Sequence, residues 1–146
     1  MDSSNLIFDE VRRQLELQLN ALESVDNKVG IMIGFNGVIF GIAASINRDI
    51  ISYLWIFRIG LIALLISLLF AVISYWFRKY AADPEPGALL KYYLNEEEQS
   101  TRKQILANYV RAYYINGGIL KEKVIMAKLS IIILCGGILL VFIAVY

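Results

Sequence analysis

Histidine is absent from this 146-residue sequence, and cysteine occurs once, as Cys135 inside the last apolar run. With no imidazole and a single thiol, the chain lacks the ligands for most zinc, haem or iron–sulfur centres. It also lacks a His-based catalytic triad and any disulfide within one chain. Proline is nearly as scarce: its two residues both fall in Asp83-Pro84-Glu85-Pro86-Gly87, a stretch that cannot continue a helix. Internal repeats, low-complexity tracts and disordered linkers are absent too, so nearly all of the chain is expected to be helical. The start does not read as a cleavable signal, since Asp2, Asp9 and Glu10 stand among scattered hydrophobics and the first long apolar run begins near Val29.

What is abundant is apolar surface. Apolar residues make up 58% of the chain and mean hydropathy is +0.60, above the roughly 45–50% apolar usage of soluble domains. A chain of this length has room for one modest core in water, so the surplus must face lipid. The 14 basic and 13 acidic residues lie almost entirely outside three uncharged stretches, which is how a bilayer sorts a sequence. The net charge of +1 says nothing about partners; only the distribution does. The expected fold is an all-α membrane protein with three transmembrane helices, an N-terminal amphipathic helix and a cytoplasmic helical segment between the second and third spans.

Residues 1–28 are polar but periodic. Phe8, Val11, Leu15, Gln18, Leu22 and Val25 alternate spacings of three and four, a heptad stripe with charge on the other faces, and Asp2, Ser3, Ser4 or Asn5 can cap the helix. The stripe suits a seam between neighbouring copies better than a helix lying among headgroups. Interfacial helices carry a basic polar face, and this one mixes Glu16 and Glu23 with Arg12 and Arg13. The first span is 29–46, near the minimum for a ~30 Å hydrocarbon layer. In it Gly30, Gly34, Gly37 and Gly41 have small-xxx-small spacing, with Gly34, Gly37, Gly41 and Ala44 near one face.

The second apolar run is 51–77. Tyr53, Trp55, Phe57 and Arg58 read as an interfacial belt, 59–77 is the spanning part, and Trp76, Phe77, Arg78 and Lys79 anchor the far end. Residues 78–128 form the polar segment. A short helix is expected over 88–94, then a longer one capped by Asn95 with Glu96, Glu97 and Glu98 in its first turn. It continues through Ile105, Leu106, Tyr109, Val110 and Tyr113, with Gly117-Gly118 as a candidate bend. The third span is 129–146. Arg12, Arg13 and Lys28 precede the first span and nine Lys or Arg lie in 78–128, whereas the 47–50 connection has Arg48 offset by Asp49, so the N-terminus is expected in the cytoplasm and the C-terminus outside.

No constellation argues for an enzyme or a metal site. Three consecutive glutamates point in different directions on a helix, Cys135 is a small hydrophobe, and Ser74 and Ser130 have no base nearby in sequence. Asn36 is different: an amide in hydrocarbon needs a partner, so it points into the protein, a cavity or a pore. Three helices enclose little water by themselves. The glycine-rich span beside a heptad stripe therefore suggests a homo-oligomer gathered round an axis, with Asn36, Met32, Phe40 and Gly34 as pore-lining candidates and Phe8, Val11, Leu15 and Leu22 as gate or assembly seam. The alternative for Asn36 is a hydrogen bond to a neighbouring helix in a packed bundle. Arg102, Lys103, Arg111, Lys121 and Lys123, with Tyr109 or Tyr113 to stack on a base, are candidates for holding a phosphate-bearing ligand. The same cations equally serve as topology determinants and contacts to anionic lipid.

The stretch Leu22-Glu-Ser-Val-Asp26-Asn-Lys28-Val-Gly30-Ile-Met-Ile-Gly34-Phe-Asn-Gly37-Val resembles the Asp-x-Lys-x-Gly lead-in of small transmembrane effectors of bacterial antiphage defence. These include the SLATT-type and Pycsar-type membrane effectors and the channel partner of the Hailong system. Asn108 to Tyr114, Asn116 and Lys121 to Lys123 resemble the helix that passes in such proteins from the cytoplasm into the last span. The resemblance implies a bacterial inner-membrane effector, not an enzyme and without a cofactor, that works as a homo-oligomer, a tetramer being the expected state. It further implies control by a nucleotide or oligonucleotide, rather than a nucleic acid duplex, made by a partner nucleotidyltransferase or cyclase, with depolarisation and growth arrest on activation. The different possibility is a non-conducting anchor or adaptor that recruits a cytoplasmic partner.

Overall fold

The computed structural model describes residues 3–76, 80–81, 91 and 97–146. Three long helices carry the chain: α1 (Ser3–Ala44), α2 (Leu54–Tyr75) and α3 (Glu98–Val145), with a 3₁₀ turn at Arg48–Ile50 between the first two. No strand occurs among the described residues, and all three helices are long and apolar enough to cross a membrane. The chain is thus the all-helical membrane protein that its composition predicts. The Pro-Gly stop at 83–87, the short helix at 88–94, the Asn95 cap and the Phe77, Arg78 and Lys79 anchors lie outside the described residues.

α1 runs without a break through Lys28, because nothing between Ser3 and Ala44 interrupts it: the segment contains no proline, and its glycines sit singly. At 1.5 Å per residue its 42 residues extend for about 63 Å, roughly twice the hydrocarbon thickness. α3 likewise passes through Gly117 and Gly118 without a break in the helix. Glu98, in the first turn of α3, complements the positive end of the helix dipole.

Which faces are buried follows one rule on every helix. On α1 the buried residues Leu15, Leu22, Val29, Asn36 and Ala43 are spaced by sevens; on α2 Phe57, Gly60, Leu64, Ser67, Ala71 and Ser74 alternate threes and fours. On α3 Tyr109, Ala112, Asn116, Lys123, Ser130, Leu134, Gly137 and Ala144 lie within the same 3.5-residue period. That period is the seam of left-handed helix packing, in which side chains on one helix seat between those of the next.

The chain divides into two compact units. One comprises Met1–Glu23 with Arg78–Leu120. Its core is Leu15, Tyr109 and Ala112, flanked by Phe8, Val11, Leu19, Ala81 and Ile105. The heptad stripe expected as a seam for other copies is therefore filled here by α3 of the same chain, because α3 presents its own apolar period to it. Asn116 is fully buried and clasps Ala81: its Oδ1 accepts from the Ala81 N–H at 2.9 Å, and its Nδ2 donates to the Ala81 carbonyl at 2.8 Å. Both polar groups of one residue outside regular structure are satisfied at once.

The other unit is Ser24–Phe77 with Lys121–Tyr146. Ala43, Leu64 and Leu134 form its core with Ile39, Phe40, Leu61, Ile138 and Val141. α2 and α3 approach most closely where each carries a glycine: a Cβ on Gly60 would stand 2.8 Å from Val141 Cγ2, and one on Gly137 3.0 Å from Leu64 Cδ2. The N–H groups of Ser52 and Tyr53 both donate to the Ala144 carbonyl, at 2.9 and 3.1 Å, capping the end of α3. Outward faces are apolar, among them Ile31, Ile62, Leu69 and Ile132, as a lipid-facing surface must be. Phe57, expected in an interfacial belt, instead turns inward and is buried, while Tyr53 and Trp55 stay exposed.

Candidate functional site

In the unit built from 24–76 and 121–146, polar side chains sit inside an otherwise apolar seam, and they occupy two levels. At the first, Asn36 of α1 donates through Nδ2 to Ser67 Oγ on α2 at 3.1 Å. Ser67 Oγ in turn lies 2.8 Å from the Ser130 carbonyl and 3.1 Å from Ser130 Oγ on α3, and Ser130 Oγ donates back to the Ser67 carbonyl at 2.8 Å. All three residues are at most 1% exposed. Each helix contributes one residue, and the single Ser67 hydroxyl proton is shared between the Ser130 carbonyl at 2.8 Å and Asn36 Oδ1 at 3.4 Å.

At the second level Lys123 of α3 donates its ammonium to the Asp26 carboxylate of α1, and Ser74 of α2 donates to the Lys123 carbonyl at 2.9 Å. The Lys123 side chain is 3% exposed and that of Asp26 24%. Ser74 of this level and Ser67 of the other are one heptad apart on α2, as Lys123 and Ser130 are on α3, a separation of about 10 Å along a helix. Lys123, expected on an accessible basic surface, is thus withdrawn from solvent, because a buried ammonium needs a counter-ion and Asp26 supplies it.

Asn36, the first pore-lining candidate, points into its own chain and takes the hydrogen-bonded alternative. Met32 and Phe40 are half-buried on either side of it, Phe40 in the apolar core. Gly34 faces outward with Gly37 and Gly41, and a Cβ at any of the three would meet nothing within 4 Å. The gate candidates Phe8, Val11 and Leu15 pack in the core of the other unit, and Leu22 is fully buried.

The basic candidates separate. In the unit of 3–23 and 97–120, Arg102 stands over the Phe8 ring, 5.2 Å from its centroid. Phe8, Gln99, Arg102, Lys103 and Leu106 line a small recess of about 80 Å³. Tyr109 is buried with its ring 5.7 Å from Phe8, so it is not an open stacking platform. Tyr113 is exposed and meets Tyr114 edge-on at 6.1 Å, and the two line a groove of about 290 Å³ with Glu10, Val11, Gln14 and Val110. In that groove Glu10 accepts hydrogen bonds from Arg13 and Gln14, which hold its carboxyl below the usual glutamate value, Arg13 foremost. Arg111 is exposed in the same unit, and Lys121 is exposed in the other.

Three members of the polar levels escape a reading by residue type. Ser67 is an unremarkable hydroxyl in a long apolar run, and Ser74 and Ser130 signify nothing while a catalytic base is sought. The available signal was spacing: Ser67 to Ser74 and Lys123 to Ser130 are each one heptad apart, on the period of their helices. Among the described residues no group of three His, Cys, Asp or Glu side chains could hold a metal ion.

A family model described as the Pycsar effector protein domain matches residues 10–146. No curated protein and no solved structure matches the chain.

Proposed function

The chain belongs to the Pycsar effector protein domain family, as a membrane effector of antiphage signalling, and from that premise we propose that it is a homo-oligomeric channel gated from the cytoplasm. The observation that carries this reading is the Asn36–Ser67–Ser130 level. Polar residues in an apolar span are costly and mark ion or proton pathways, and here all three helices contribute one. In the closed protein these groups satisfy one another; on opening they become the wettable lining. The outward glycine face of α1, with Gly34, Gly37 and Gly41 in open space, supports close approach of further copies, and a tetramer is the proposed state.

The signal is proposed to be a nucleotide or oligonucleotide made by a partner nucleotidyltransferase or cyclase. It reaches the exposed cations Lys103 and Arg111 with Arg102 and Tyr113, and opening depolarises the inner membrane and arrests growth. The nine Lys and Arg residues in 78–128, with Arg12, Arg13 and Lys28 before the first span, support a cytoplasmic side for both segments. Ion flux through purified protein in liposomes tests the proposal. A silent protein under every nucleotide, with no oligomer in detergent, rejects it.

A non-conducting anchor that recruits a cytoplasmic partner is the second reading, and the hydrogen bond of Asn36 to Ser67 of its own chain favours it. The two rank substitutions oppositely. A channel loses conduction with Asn36→Leu, whereas an adaptor keeps its function with Asn36→Leu and loses it with Arg102→Glu or Arg111→Glu.

A further inference from the structure

The ion pair between Asp26 and Lys123 is poorly explained as a source of stability. Withdrawing an ammonium as far from water as Lys123, 3% exposed, costs so much that a well-packed apolar pair would hold α1 against α3 at least as well. Every other buried position of α1, at Leu15, Leu22, Val29 and Ala43, uses an apolar side chain for that purpose, Asn36 excepted. An ion pair differs from an apolar pair in one respect: it has two sharply distinct states. Intact, the two charges stand in direct contact; parted, they lose that contact and draw water toward them.

Water admitted there has a route. Lys123 belongs to α3, its own carbonyl accepts from Ser74 of α2, and Ser74 lies one heptad from Ser67. Between Ser67 and Ser74 the α2 seam holds Ala71, a small residue that is completely buried. Displacing α1 from Lys123 therefore frees a charge beside a serine and a carbonyl, and it also withdraws Val29, the buried α1 residue between the two levels, leaving Ala71 as the small side chain of α2 between them. Asp26 is the more accessible partner, with a quarter of its side chain exposed, so competition for the pair begins on the α1 side.

We propose that the Asp26–Lys123 pair is the latch of the closed protein: while it holds, the bundle interior is dry, and its release hydrates the interior as far as the Asn36–Ser67–Ser130 level. The proposal rests on the reading of the chain as a gated effector, and its test separates the two. Ala71→Cys in a Cys135→Ser background places one thiol between the polar levels, and a charged, membrane-impermeant thiol reagent reads its access to water in proteoliposomes. The closed protein is expected to react slowly. Asp26→Asn and, separately, Lys123→Met are expected to speed labelling by on the order of a hundredfold, the scale of removing one partner of a buried pair. The reversed pair Asp26→Lys with Lys123→Asp is expected to restore protection.

Ion flux is recorded on the same vesicles. Faster labelling without flux supports the latch and refutes the channel; faster labelling with flux supports both. Labelling unchanged in Lys123→Met, which removes the deeply buried charge and leaves the more accessible Asp26, overturns the latch. So does a reversed pair that folds to the same helicity as the parent yet labels as fast as the single variants.

Discussion

Replacing Gly60 by alanine adds one methyl group where α2 crosses α3. That methyl would stand 2.8 Å from Val141 Cγ2, 3.1 Å from the Val141 nitrogen and 3.2 Å from the Gly137 carbonyl oxygen. The Val141 side chain can rotate away, but the two backbone atoms move only if the helices separate. Overpacking of this kind costs about 1–3 kcal/mol, while alanine is favoured over glycine in a helix by about 1 kcal/mol. The net expectation for Gly60→Ala is a loss of up to about 2 kcal/mol of protomer stability. Gly137→Ala meets Leu64 Cδ2 at 3.0 Å and the Leu64 nitrogen at 3.2 Å, so it falls in the same class. Gly37→Ala meets nothing within 4 Å and is expected to keep the helix-propensity gain, up to about 1 kcal/mol. If copies pack through the outward face, however, Gly37→Ala weakens the oligomer. Steric-trap unfolding in detergent or bicelles measures the protomer, and native mass spectrometry measures the assembly. The reasoning is wrong if Gly37→Ala destabilises the protomer as much as Gly60→Ala does, or if Gly60→Ala is stabilising.

Other perturbations follow from the polar contacts. Ser67 bonds to both Asn36 and Ser130, so Ser67→Ala should cost more than Asn36→Ala. Each lost bond is worth about 0.6 kcal/mol and at most about 1.7 in a membrane protein, and the same unfolding measurement gives the order. Asn116→Asp keeps an acceptor for the Ala81 N–H but loses the donor to its carbonyl, a cost of about 1–3 kcal/mol that should appear as faster amide exchange at Ala81. Phe8→Ala removes the ring beneath Arg102 and the partner of Tyr109, and is expected to cost about 3 kcal/mol and to loosen the N-terminal part of α1 in hydrogen exchange. Because Arg13 and then Gln14 hold the Glu10 carboxyl below its ordinary 4.5, the folded value is the lower one. The small stabilisation is present above that ordinary value and fades as pH falls through the folded one; Arg13→Gln should move the Glu10 titration upward by NMR.

Long uncharged runs and the near absence of helix breakers determined three spans and an all-helical chain before any coordinates, because hydrocarbon tolerates no unpaired backbone. The heptad beginning at Phe8 and Val11 also determined which face of α1 is buried, and continuing it by sevens reaches Val29, Asn36 and Ala43. Periodicity says that a face is covered but not by what. Only the tertiary structure decided that α3 of the same chain fills the seam at Leu15, that Asn36 bonds Ser67, and that Lys123 pairs with Asp26. It likewise separated glycines that look alike in sequence: Gly60 and Gly137 admit a neighbouring helix, whereas Gly34, Gly37 and Gly41 face outward. The reason is the same in each case. Local spacing fixes the direction of a side chain on its own helix, and the identity of what it meets depends on residues 31 to 97 positions away, which nothing local encodes.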